Sequence, residues 1–118
     1  MKGTRAILVD DDDVNLITFG AILEDEGCSV TTASSLALGR AAIAAGRFDL
    51  AVLDVHLGDG LGPDLIPELR ARNPGIVVAV VSGSLGHEER IVGPDLVLAK
   101  ASDPKEILAQ IEAALRSR

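Results

Sequence analysis

Short apolar runs that stop at polar or acidic residues alternate along the chain with stretches of helical spacing. Ile7-Leu8-Val9 runs into Asp10-Asp11-Asp12-Asp13, Leu50-Ala51-Val52-Leu53 into Asp54, Val80-Val81 into Ser82-Gly83, and Leu96-Val97-Leu98-Ala99 into Lys100. An apolar run bounded by charge reads as a buried strand emerging at the edge of a sheet. On this basis strands are predicted over residues 5–9, 28–32, 50–53, 76–81 and 96–99. The third and fourth runs are apolar throughout, which fits strands covered on both faces, as in a parallel sheet.

Helical periodicity fills the gaps. Leu16, Phe19 and Leu23 recur three and four apart and form one apolar stripe. Asp12 or Asp13 is the expected cap of that helix, and Gly27 its stop. Ser34 is the expected cap of a second, alanine-rich helix reaching about residue 45, with Gly46 as its stop. A glycine-rich loop, His56-Leu57-Gly58-Asp59-Gly60-Leu61-Gly62, follows Asp54. Pro63 suits the first position of a third helix running to about residue 72, before Asn73-Pro74-Gly75 turns the chain. Residues 84–94 carry two glycines, a proline and the run His87-Glu88-Glu89-Arg90, so only a short or irregular fourth helix is expected there. Asp103-Pro104-Lys105-Glu106 is a strong helix start, with Leu108, Ile111 and Leu115 facing inward. Strand followed by helix, five times over, argues for a doubly wound α/β fold with helices on both faces of a parallel sheet.

A length of 118 residues suits a single domain over residues 1–118. Aromatic residues make up only 2%, so the core is built from Val, Leu, Ile and Ala. The net charge of −7 argues against direct contact with nucleic acid. The lone Cys28 excludes an internal disulfide and reads as core filler. No apolar run reaches bilayer length and no signal peptide is evident, so a cytoplasmic protein without membrane insertion is expected.

In such a sheet, chemistry gathers outside the carboxyl ends of the strands. Asp10 and Asp11 end strand 1, Asp54 ends strand 3, Ser82 ends strand 4 and Lys100 follows strand 5. Two or three carboxylates with open positions make a hard oxygen site suited to Mg²⁺. A lysine and a hydroxyl beside them are fit to hold phosphoryl oxygens, and an aspartate is fit to be the nucleophile. Taken singly, Lys100 reads as a solvated surface residue, Ser82 as a turn residue and Asp54 as a loop cap. Their joint placement at successive strand ends carries the reading.

These motifs, in this order, resemble a response-regulator receiver domain over nearly the whole chain. The resemblance implies a flavodoxin-like three-layer sandwich with sheet order 2-1-3-4-5. It implies that Asp54 takes a phosphoryl group from a sensor histidine kinase or phosphotransfer protein, and that the switch is read by a downstream effector or output domain. The resemblance leaves the enzyme class open: it implies a chain that catalyses its own phosphorylation and dephosphorylation rather than a turnover enzyme. By resemblance, Asp11 and Asp54 bind Mg²⁺ directly, Asp10 binds it through water, and the His56 main-chain carbonyl is a further ligand. Ser82 and Lys100 contact the phosphoryl oxygens, while His56 and Ser84 flank the approach of water.

Some positions depart from the family. Gly58 replaces a usual proline and Leu61-Gly62 the usual Asp-Gly. Ala101 replaces a proline after the lysine, which disfavours a cis peptide there. Val97 stands where an aromatic switch residue is common, and only 18 positions separate Ser82 from Lys100. One alternative is a pseudo-receiver that binds partners without phosphotransfer. Another is a haloacid-dehalogenase-type phosphatase, because Asp10-Asp11-Asp12-Asp13-Val14 fits D-x-D-x-[TV] with Asp10 as nucleophile. That family's later acidic pair is missing.

Overall fold

The computed structural model describes residues 1–83 and 93–118. The main sheet has five strands: β1 (Arg5–Val9), β2 (Ser29–Ala33), β3 (Leu50–Asp54), β4 (Val77–Ser82) and β5 (Leu96–Ala99). All pair in parallel, in the order β2-β1-β3-β4-β5. Four α-helices lie among the described residues: α1 (Asp13–Asp25), α2 (Leu36–Ala45), α3 (Ile66–Arg72) and α4 (Pro104–Ser117). The expected irregular fourth helix falls almost wholly on residues 84–92, outside the described residues.

The alternation of side chains along each strand explains the three layers. Ile7 and Val9, Ala51 and Leu53, and Val78 and Val80 enter one apolar cluster with Leu36 and Ile43 of α2 and Ile66 and Leu69 of α3. Ala6 and Leu8, Leu50 and Val52, and Val77 and Ala79 enter the other with Leu16 and Leu23 of α1 and Ile107 and Ile111 of α4. The central strands are therefore apolar through their interiors, with polar residues only at their ends, because both of their faces are covered. Edge strand β2 is mostly exposed, which fits its Ser-Val-Thr-Thr sequence. Cys28, just before it, is buried as filler, and burial pushes its thiol up.

Several boundaries differ from expectation. β2 starts at Ser29 and includes Ala33, and Cys28 lies outside it. The cap of α2 is Ser35, whose side chain accepts from the Leu38 N–H at 3.1 Å, and Ser34 is exposed. Of the two caps expected for α1, Asp12 is the one used, accepting from Val14 N at 2.9 Å. Pro63 sits in a 3₁₀ turn (Gly62–Leu65), and α3 begins at Ile66 with Pro67 in its first turn. A proline lacks the N–H that a helix interior needs, so each proline opens its own segment. In α4 the most buried residues are Ile107 and Ile111, four apart, while Leu108 and Leu115 are only partly covered.

The loop after β3 forms a two-residue antiparallel ribbon, His56–Leu57 with Gly60–Leu61. At its tip, Asp59 accepts from Leu36 N at 2.8 Å and Ala37 N at 3.1 Å, which ties this loop to the start of α2. Those two main-chain bonds hold the Asp59 carboxyl below its ordinary value. A depressed folded-state value means stability that is present above the unfolded value and lost as pH falls through the folded one. Asp59→Asn is therefore expected to lower the melting temperature at pH 7, with a deficit that shrinks as pH falls towards 3. A deficit independent of pH, measured by thermal denaturation of both proteins, would show that the carboxylate charge is not what stabilises this junction.

The entry to β5 is fastened as well. Asp95 Oδ2 accepts from Val78 N at 2.8 Å and from Arg70 Nη2 at 3.1 Å, and Asp95 N donates to Val78 O. Asn73 is buried where a plain turn was expected. Its side chain accepts from Phe48 N and donates to Leu69 O, satisfying two main-chain groups in the interior.

Candidate functional site

The same alternation that sorts the core also assembles the site. Asp10 continues the parity of Ala6 and Leu8, Asp54 that of Leu50 and Val52, and Lys100 that of Leu98. All three reach the carboxyl edge of the sheet on the α1/α4 face. Register keeps them level, since Leu53 pairs with Val9, Asp54 with Val81, and Ser82 with Ala99. Lys100 N donates to Ser82 O at 2.9 Å, which joins the ends of β4 and β5.

Lys100 Nζ lies 3.0 Å from Asp54 Oδ2 and 3.6 Å from Asp10 Oδ2. Asp54 is 8% exposed and Ser82 1%, so the acid and the hydroxyl residue sit inside the protein edge. Asp10 accepts from Asp12 N at 2.9 Å and from the Asn15 amide at 3.4 Å. Carboxylate oxygens of Asp10, Asp11 and Asp54 all lie within 4.8 Å of one another, a group that could hold a metal ion. Three hard oxygen donors with exposed Asp11 at the rim suit a small divalent cation. Asp12 is occupied as the α1 cap and Asp13 lies exposed in its first turn, so neither joins this group. His56 is exposed on the ribbon two residues beyond Asp54.

Burial is the main cause that raises the Asp54 carboxyl above its ordinary value. The Lys100 hydrogen bond opposes it, and the charge on Asp10 adds to it. Burial alone would lower the Lys100 ammonium, but the hydrogen bond to Asp54 and the charges of Asp10 and Asp54 outweigh it and hold it raised. The two directions are compatible. Lys100 faces two carboxylates, whereas Asp54 faces one cation, one like charge and a dry environment. Lys100→Met is accordingly expected to push Asp54 higher still in metal-free protein. A ¹³C titration of the Asp54 carboxyl checks this, and a value that stayed put or fell would remove Lys100 as the group that restrains it.

Every residue singled out at the strand ends is brought to this edge except Ser84, which lies outside the described residues. Asn15 and Asp59 were missed. Asn15 had a faint signal, an amide one turn into the helix that begins beside the acids. The role of Asp59 depends on a helix start 23 residues earlier in the chain and left no local trace. The Lys100–Ala101 peptide is trans. Val97 is 43% exposed on β5.

None of the helices among the described residues is long and apolar enough to cross a membrane. The family model of the response regulator receiver domain matches residues 6–112. The chain is 33% identical to the alginate biosynthesis transcriptional regulatory protein AlgB of Pseudomonas aeruginosa, over 95% of this chain and 29% of AlgB. It thus spans less than a third of that relative. It is similar in structure to a CheY-like receiver domain protein from Methanospirillum hungatei, with a TM-score of 0.89 and 30% identity over 98% of this chain and 96% of that one. A response regulator protein from Burkholderia pseudomallei, solved with a phosphorylated aspartic acid, calcium ion and citrate, is similar at a TM-score of 0.83 and 27% identity over 97% of this chain and 69% of that one. These matches set aside the haloacid-dehalogenase reading, and with them the chain belongs to the response regulator receiver domain family.

Proposed function

We propose that residues 1–118 act as one phosphoacceptor receiver domain, with Asp54 as the nucleophile. The observation that carries this is the 3.0 Å pairing of a buried Asp54 with Lys100 beside two further carboxylates. The phosphorylated aspartate of the Burkholderia protein supports it. Asp54 attacks the donor phosphorus with a carboxylate oxygen. One O–P bond forms as the donor's bond to phosphorus breaks, and the leaving group departs with its electron pair.

Burial opposes ionisation of Asp54, and the nucleophile must be ionised. Lys100 offsets that penalty in the resting protein and then lies beside the incoming phosphoryl oxygens. Ser82, at the end of β4, contributes a hydroxyl to the same oxygens. Asp10, Asp11, Asp54 and the His56 main-chain carbonyl would hold Mg²⁺, in line with the hard donor set. When bound, the ion neutralises charge on the carboxylates and on the transferring group. Asn15 steadies Asp10 through its amide.

The donor is a sensor histidine kinase or phosphotransfer protein, and the reader is an effector or output domain. With a net charge of −7 this chain does not itself contact nucleic acid. The cytoplasm is its expected place. Intact mass after incubation with acetyl phosphate, with and without Mg²⁺, tests the reading. One added phosphoryl group that requires Mg²⁺ and maps to the peptide holding Asp54 is expected. No gain from acetyl phosphate or from a cognate kinase would leave a binding module without phosphotransfer.

A further inference from the structure

α1 and α4 cover the same face of the sheet, and a cleft of about 190 Å³ lies between them. Asp10, Asp54 and Lys100 wall one end. From there it runs back over Val52, between Phe19 and Ile22 on α1 and Ile107 on α4. The chain has two phenylalanines and no Trp or Tyr, and one of the two, Phe19, lines this cleft. Phe19 and Ile22 remain only partly covered.

We propose that this cleft binds a small amphiphilic cation, a primary ammonium carried on an apolar tail of about six carbons. The volume sets the tail, since a cavity of roughly 150 Å³ lined by apolar side chains holds a six-carbon ring, and the apolar part of this lining is Leu16, Phe19, Ile22, Val52 and Ile107 with their neighbours. Charge sets the head. Asp10 and Asp54 line that end against one lysine, so it carries an excess of carboxylate. An ammonium offsets that excess and hydrogen-bonds to it, whereas an anionic head is repelled. The head and a divalent cation draw on the same carboxylates, so each excludes the other. The site rests on the cleft and its walls, and not on phosphoryl transfer.

The test is an NMR titration of the full chain with hexylammonium, without phosphodonor, following the methyl groups of Ile22 and Ile107 and the ring of Phe19. Saturable shifts confined to these residues are expected. Affinity should rise about fourfold per buried methylene from propyl to hexyl. Methylammonium and hexanoate should bind at least about tenfold more weakly. Added Mg²⁺ should weaken the amine. Ile22→Trp, which fills the cleft, should abolish binding, and its fold is checked by melting. Should that variant not fold, Ile22→Ala, which strips one wall, should weaken binding about tenfold or more. The site is overturned by shifts that do not saturate, by shifts centred elsewhere, by hexanoate binding as well as the amine, or by indifference to Mg²⁺. Phosphoryl uptake plays no part in this titration, so failure here and failure of Asp54 as acceptor are separate results.

Discussion

Asp54→Asn should take up no phosphoryl group, at less than about 1% of the wild-type extent, and should fold at least as stably as the parent in metal-free buffer. The first half follows from chemistry. A carboxamide oxygen is a poor nucleophile and carries no charge to be neutralised by Lys100 or a metal. The second half follows from the electrostatics of the buried site. Burial and the nearby Asp10 raise the Asp54 carboxyl above its ordinary value, with the Lys100 bond only partly opposing them. A group whose folded-state value is raised takes stability away as pH climbs through that value. The amide removes this liability and can still accept the Lys100 hydrogen bond through its oxygen. An unchanged or higher melting temperature at pH 7 is therefore expected. A fall of more than about 5 °C, roughly 1 kcal/mol for a domain of this size, would mean that the ion pair is a net stabiliser. Persistent uptake in the mutant would move the acceptor to another residue.

Gly62→Ala should be the most damaging single methyl in the described structure. Gly62 is buried, its N–H donates to Val55 O at 2.9 Å, and a Cβ at this position would overlap the main-chain carbonyl of Asp54. The obstacle is backbone and has no rotamer to retreat into. Overpacking among side chains costs typically about 1–3 kcal/mol, and a backbone clash belongs at the upper end of that range or beyond it. A drop of about 10 °C or more in melting temperature follows. If the chain yields, the Asp54 peptide must move, and phosphoryl uptake should fall more steeply than stability alone explains. Gly58→Ala is the control, because nothing lies within 4 Å of a Cβ there. Equal melting temperatures for the two variants would show that the loop relaxes around the methyl.

Much of the site was legible because a strand announces its own end. An apolar run buried on both faces cannot absorb a charge, so the first polar residue after each run marks the carboxyl edge, where Asp10, Asp54, Ser82 and Lys100 stand. The strands were equally plain, because Val, Ile and Leu without alternation leave few other structures open. What stayed hidden depends on closeness between distant segments. Asp59 reads as one more turn acid until α2 is placed beside it. Asn73 reads as a turn former until Phe48 presents its N–H. Ser34 and Ser35 are chemically equal as caps, and only the backbone at Ser35, extended and aimed at Leu38 N, decides between them. The cleft between α1 and α4 is a volume no residue encodes alone. It exists only where the sheet brings two helices side by side.

The fastening of Asp95 bears on how such a domain can be diversified. Residues 84–92 begin just after β4 closes with Ser82, and end just before Asp95 is locked to Val78 and Arg70. Both flanks are thus pinned by contacts among the described residues. The interval lies between two fixed anchors. Sequence can be exchanged there and screened for new partners while Asp10, Asp54 and Lys100 keep their places at the sheet edge.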